Sequence, residues 1–229
     1  MKLPNGWQSD FKHSDAIPRA LSYSASKELA KSPAHVLAYW KKAFEPTKQM
    51  RIGKYYHKLA LLNDRPEKWL KGEFEVAEAM CEVLAKHELA SAMIKQGAIE
   101  KTGYCKDPDF GFDCIVKPDI LLPQYGTIVD LKSAADVSLR AFRRAIYFFK
   151  YHLQAAFYLR YANVIEPNTY HTFHIIAQET KPPYGIMVYK LSEVTLTNGE
   201  MELMPLLKLF KGCLDSGEWP LYPETIIEI

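Results

Sequence analysis

Hydrophobic and polar positions are punctuated most sharply midway along the chain. Two apolar runs, residues 112–122 and 127–131, flank Pro123-Gln124-Tyr125-Gly126, a turn composition, so the pattern predicts a β-hairpin. Upstream the period lengthens to that of helices. Ser24 or Ser26 offers an N-cap for a short helix, and Ser32-Pro33 stops it and starts another over 34–42. Ile52, Tyr55, Tyr56 and Leu59 give residues 51–60 one buried helical face. Phe74, Ala77, Met80, Leu84 and Leu89 recur at helical steps between charged positions, predicting one amphipathic helix over 71–96. Gly97 ends it, and residues 98–104 begin the sheet. The segment 106–111, with its Pro and Gly, is a turn. Beyond the hairpin the pattern predicts a long helix over 139–164 and two strands over 172–179 and 185–191. A last helix over 203–215 closes at Ser216-Gly217. Residues 1–22 read as a flexible N-terminal arm, leaving 23–229 as a single domain.

Composition narrows the class. The chain has 229 residues, 48% hydrophobic and 24% charged, enough for one large globular core. A net charge of +2 is too small to argue for nucleic acid, so any basic surface must be local. Cys81, Cys105, Cys114 and Cys213 form no C-x-x-C pair, which argues against a zinc or iron–sulfur site and for reduced thiols in a cytoplasmic protein. No apolar stretch has the length of a signal peptide or a membrane span.

Candidate chemistry sits on the hairpin. Side chains alternate faces along a strand, so Asp130 and Lys132 point the same way, and Asp119 can meet them across the ladder. Two carboxylates and an amine on one patch stabilise a sheet poorly, but they suit a divalent cation held beside a phosphate. Such a cation lowers the pKa of water and offsets charge on a phosphoryl group. A nearby lysine can position the water or offset the new charge.

The combination Pro118-Asp119, a short spacer and Asp130-Leu131-Lys132 resembles the PD-(D/E)xK nuclease signature. Further motifs agree in order. Residues 26–40, with Lys31-Ser32-Pro33-Ala34-His35 at their centre, resemble the opening of the exonuclease VIII (RecE-type) domain. Gly53-x-x-x-His57 resembles the first motif of RecB-type nucleases; taken alone, His57 reads as an ordinary part-buried histidine. Gln154 and Tyr158, at i and i+4 on one helical face, resemble the Gln-x-x-x-Tyr motif. The surrounding 150–158 and the closing 215–220 are similar to the RecE-type, phage-type recombination exonucleases. One departure is Val116-Lys117, where relatives often carry glycine or arginine.

The resemblance implies an α/β, restriction-endonuclease-like core: a central mixed sheet flanked by helices. It implies a Mg²⁺-dependent exodeoxyribonuclease, with Mn²⁺ able to substitute. Glu100, on the strand before the hairpin, joins Asp119, Asp130, His57 and the Leu131 carbonyl as metal ligands, and Lys132 orients the attacking water. Gln154 and Tyr158 contact substrate and support the ligands. Arg140, Arg143, Arg144 and Lys150 are expected phosphate contacts, which position nucleic acid without reading sequence. The implied substrate is the end of linear double-stranded DNA, degraded 5′ to 3′ for recombination. The implied partners are a single-strand annealing protein of the RecT type and further copies in a ring-shaped homo-oligomer. The competing readings are a structure-specific endonuclease of the same fold and a catalytically silent DNA-binding or assembly module. A Cas4-like exonuclease is disfavoured by the cysteine pattern.

Overall fold

The computed structural model describes residues 6–8, 20–41, 45–65, 68–226 and 228. In chain order come β1 (Gly6–Gln8), α1 (Tyr23–Leu29), α2 (Pro33–Trp40), α3 (Lys48–Leu62), α4 (Lys71–Lys86) and α5 (Glu88–Gln96). Then follow β2 (Ala98–Ile99), β3 (Thr102–Lys106), β4 (Asp113–Val116), β5 (Ile120–Leu122) and β6 (Thr127–Ala134). The chain ends with α6 (Leu139–Phe148), α7 (Tyr151–Ile165), β7 (Thr172–Glu179), β8 (Ile186–Lys190) and α8 (Glu193–Ser216).

The main sheet runs β2-β5-β6-β7-β8. Only β6 and β7 are parallel, because α6 and α7 carry the chain back across the sheet between them. The other neighbours are antiparallel, so the sheet is mixed, as expected. Alternate residues of β6 and β7 enter different cores. Ile128, Phe173 and Ile175 pack with α1, α7 and α8, whereas Val129, Leu131 and Ile176 pack with α3 and α4. Helices therefore cover both faces, and the apolar character of β6 before Asp130 follows from double burial.

The hairpin is the β5–β6 pair, turned by a single 3-10 turn, Pro123–Tyr125, with Gly126 left-handed at φ 60°. Its first apolar run is not one strand. Residues 113–116 pair with β3 in a separate three-stranded sheet, β1-β3-β4, and 120–122 pair in the main sheet. The chain changes sheets at Lys117-Pro118-Asp119, where proline supplies no ladder donor.

Several helix boundaries differ from the periodic pattern. Ser22, not Ser24 or Ser26, caps α1, its hydroxyl accepting the Ala25 N–H at 3.2 Å. The 71–96 helix breaks at His87, whose Nδ1 accepts the Ala90 N–H at 3.2 Å and so starts α5. The 139–164 helix breaks at Lys150, left-handed at φ 63°. Tyr23 Oη braces this corner, donating to the Phe149 carbonyl at 3.0 Å. The last helix begins at Glu193 rather than 203, capped by Ser192. Gly199 lies in its early turns because α7 passes so near that a Cβ there would sit 2.2 Å from the His152 carbonyl oxygen.

The N-terminal stretch also differs. Residues 6–8 form a strand on β3, and fully buried Leu21 bridges to Cys114. The rest of the expected arm, residues 1–5 and 9–19, lies outside the described residues. Among the described residues no helix is long and apolar enough to cross a membrane.

Candidate metal centre

The centre lies where the chain changes sheets. Helix α3 crosses β6 closely: a Cβ on Gly53 would meet Ser133 Oγ at 3.0 Å. One turn later, His57 reaches the start of β5, its Nδ1 3.4 Å from Asp119 Oδ1. The other oxygen of buried Asp119, Oδ2, accepts the Leu131 backbone N–H at 2.7 Å. Leu131 thus enters the site through its amide, fixing Asp119 against β6.

Glu100 approaches from the opposite sheet change. It follows β2 and precedes β3, outside both strands, whereas the family pattern placed it on a strand. Its backbone is left-handed, φ 50°, a conformation that costs an L side chain roughly 1–2 kcal/mol. Its N–H donates to the Asp119 carbonyl at 2.9 Å, and its carboxylate pairs with Lys117. Strain of this kind persists where surrounding contacts over-determine it.

Asp130 and Lys132 share a face, as the strand period requires. Lys132 Nζ lies 2.5 Å from the buried Asp130 Oδ2. Asp130 Oδ1 accepts from Gln154 Nε2 at 2.7 Å. Tyr158, one turn further along α7, donates its hydroxyl to the Lys117 carbonyl at 3.1 Å. Both residues of this helical pair are buried, and both support the acidic elements from behind. The break at Lys150 turns Tyr151 so that Lys132 Nζ stands 4.9 Å from its ring centre, a cation–π contact.

Burial and charge set the protonation states. Burial raises Asp130 to about 6, with the Asp119 charge adding to the rise and Lys132 opposing it. Burial acts the same way on Asp119, but the neighbouring His57 outweighs it and holds Asp119 below the usual carboxylate range. Burial would lower His57, yet Asp119 overcomes it and the imidazole is raised. Lys132 is raised against its own desolvation, chiefly by Asp130. It is therefore an ammonium at every working pH.

His57, Glu100 and Asp119 offer one nitrogen and two carboxylate oxygens within 4.8 Å of one another. An imidazole with oxygen donors fits a divalent cation such as Mg²⁺ or Mn²⁺. Asp130 stands beside this trio, its Oδ2 against Lys132 and its Oδ1 against Gln154.

The remaining expected residues fall into two groups. Arg140, Arg143 and Arg144 are exposed on α6. Lys150 is committed to Glu202, at 2.7 Å. Tyr151 and Lys117 are not among the site residues expected from the sequence. Tyr151 carried a usable signal, since with Gln154 and Tyr158 it completes an i, i+3, i+7 stripe. Lys117 carried none, because its pairing depends on the distant turn at Glu100.

A mixed sheet covered by helices on both faces, with Pro118-Asp119 and Asp130-Leu131-Lys132 meeting at one end of a hairpin, defines the PD-(D/E)xK class. The chain belongs to the family described as the PDDEXK-like domain of unknown function DUF3799, whose model matches residues 60–227. No curated protein matches it by sequence. A solved structure from Eubacterium rectale, named "Putative exonuclease", superposes with a TM-score of 0.66 at 17% identity, covering 90% of this chain and 91% of that one. A phage related exonuclease from Haemophilus somnus 129PT is more distant, with a TM-score of 0.45 at 11% identity over 87% of this chain and 97% of that one.

Proposed function

We propose that this chain is a divalent-metal-dependent DNA exonuclease that hydrolyses phosphodiester bonds at the ends of linear duplex DNA. The observation that carries the reading is the convergence of His57, Glu100 and Asp119 within ligand distance beside the buried Asp130–Lys132 pair. A purely structural cluster has no need of a left-handed glutamate and a carboxylate raised to about 6. The name carried by the Eubacterium rectale structure agrees with it.

His57, Glu100 and Asp119 would hold Mg²⁺ or Mn²⁺, with Asp130 alongside. When bound, the cation supplies Lewis acidity and a water of lowered pKa. The chain's own residues do the rest. Lys132, fixed as an ammonium, donates to the attacking water or to a phosphoryl oxygen and offsets the charge that develops there. It does not accept the proton, because its nitrogen lone pair is already protonated. Gln154 holds Asp130 in register, and Tyr158 holds the Lys117 backbone that leads into Asp119. Arg140, Arg143 and Arg144 supply exposed cations for phosphates.

The finer reading rests on the resemblance to RecE-type enzymes. It comprises 5′ to 3′ polarity, a ring-shaped homo-oligomer, a RecT-type annealing partner and a role in recombination. Duplex DNA labelled at either 5′ or 3′ ends, compared with closed circles, tests it. Release of nucleotide from the 5′ label, with circles left intact, is expected. Cutting of circles would instead indicate an endonuclease of the same fold.

A further inference from the structure

An open groove of about 630 Å³ lies between α1, α2, the start of α3 and the corner joining α6 to α7. Its walls are aromatic and apolar: Phe148 is 78% exposed, Phe149 48%, Met50 50% and Tyr39 42%. Four large apolar side chains facing one groove are costly to leave in water, and such a patch marks a binding surface.

Charge limits what the occupant can be. Lys27, Lys31 and Lys150 line the groove, and Glu28 is its only carboxylate among the described residues. Glu28 is engaged by Lys31 at 2.7 Å, and Lys150 by Glu202 from outside the groove. Lys27 is left half-buried, and among the described residues no carboxylate pairs with it. Burial pulls its pKa down, and the charges of Lys31 and Lys132 add to the fall while Glu28 opposes it. An anion brought beside Lys27 would offset the repulsion from Lys31 and Lys132 and favour its charged form.

The groove also adjoins the reacting groups. Lys150 lines the groove, and the next residue, Tyr151, has Lys132 Nζ 4.9 Å from its ring centre. A strand with a phosphate at Lys132 would continue past Tyr151 towards the groove.

We infer that this groove holds unpaired nucleotides of the DNA strand next to the cut, their bases stacked on Phe148 and Phe149 and a phosphate at Lys27. Aromatic faces interleaved with cations are the chemistry of single-strand recognition, since every base has a π-face and every linkage a charge. A peptide of matching charge would need acidic side chains spaced to reach Lys27. The inference rests on the nuclease reading only for what lies next door; binding itself needs no cleavage.

The test is fluorescence anisotropy of a labelled oligothymidylate with the full chain in EDTA, so that hydrolysis plays no part. Phe148→Ala should weaken binding about tenfold, and Phe148→Trp should restore it. Because Phe148 is mostly exposed, neither change threatens the fold. Lys27→Met should flatten the dependence of log affinity on log salt by about 0.7. Unchanged affinity in Phe148→Ala together with an unchanged salt slope in Lys27→Met overturns the inference. So does a wild-type protein that ignores the oligonucleotide. Loss of self-association in Phe148→Ala by light scattering, with DNA binding intact, also overturns it and assigns the groove to a second copy of this chain. The nuclease reading is judged apart, by digestion with Mg²⁺. Groove-dependent binding without any digestion would leave this inference standing and remove the other.

Discussion

The backbone N–H of Glu100 donates to the carbonyl of Asp119 at 2.9 Å, tying together the two points at which the chain passes between sheets. One bond thus fixes the spacing of two acids whose side chains repel. It also holds Glu100 left-handed at φ 50°. Substituting Glu100→Gly frees that backbone from a cost of about 1–2 kcal/mol, offset by about 0.5–1 kcal/mol of extra unfolded-state entropy. The carboxylate's pairing with Lys117 contributes little, because Lys117 is more than half exposed. The expected outcome in EDTA is a melting temperature unchanged or slightly raised, with Mn²⁺ binding by calorimetry weakened at least tenfold. A clear loss of stability would mean that Glu100 is structural.

The approach of α3 to β6 supports a second prediction. Gly53→Ala places a methyl 3.0 Å from Ser133 Oγ, tight enough to displace α3 by a few tenths of an ångström. Alanine favours the helix by about 1 kcal/mol, so stability should hold while His57 drifts from Asp119. Metal affinity is expected to fall severalfold in Gly53→Ala and to recover when Ser133→Ala is added. Equal affinities in the single and double variants would show that the close approach does not position His57.

The pH response of the metal-free protein follows from the shifted groups. Asp130 titrates at about 6 rather than 3.8, so the folded state binds a proton that the unfolded state releases. Stability therefore increases as pH falls through about 6 and levels off near 3.8, a gain on the order of 3 kcal/mol from this group. His57 is raised, so its contribution is complete below its unfolded value and is lost as pH rises through its folded one. Asp119 is lowered, so its contribution is present above the unfolded carboxylate range and disappears in stronger acid. Melting in EDTA should peak near pH 5. Stabilisation by Mn²⁺ should run the opposite way, growing from pH 5.5 to 8 as the ligands lose their protons. A Mn²⁺ effect independent of pH would place the ion elsewhere.

These residues also explain what could be read from the sequence. Asp130 and Lys132 were legible because strand periodicity fixes faces locally, and Pro-Gly punctuation fixed the turn. Gln154 and Tyr158 were legible for the same reason on a helix. The split of 112–122 between two sheets was not, because both halves are equally apolar and only tertiary pairing divides them. The corner at Lys150 was hidden, since lysine is an ordinary helix former and its left-handed backbone is held by contacts with Tyr23 and Glu202. The start of the last helix at Glu193 was hidden, because Gly199 disfavours a helix and its reason for being glycine lies on α7.

Gln154 provides a fourth prediction. Its amide is the aligned donor to buried Asp130, and removing one partner of a buried charged hydrogen bond costs roughly 1–3 kcal/mol. Gln154→Ala should lower both melting temperature and turnover, while duplex affinity stays near wild type. Lowered affinity with unchanged turnover would make Gln154 a substrate contact instead.

The central claim is that Asp119, its ligand partners and Lys132 form one hydrolytic centre. The most direct measurement is single-turnover release of acid-soluble nucleotide from linear duplex DNA, with Mg²⁺ or EDTA, by wild type, Asp119→Asn and Lys132→Ala. The account predicts release by wild type with Mg²⁺ alone, and a loss of at least a hundredfold in both variants while their folds persist by circular dichroism. Release that survives in either variant, or that continues in EDTA, would contradict it.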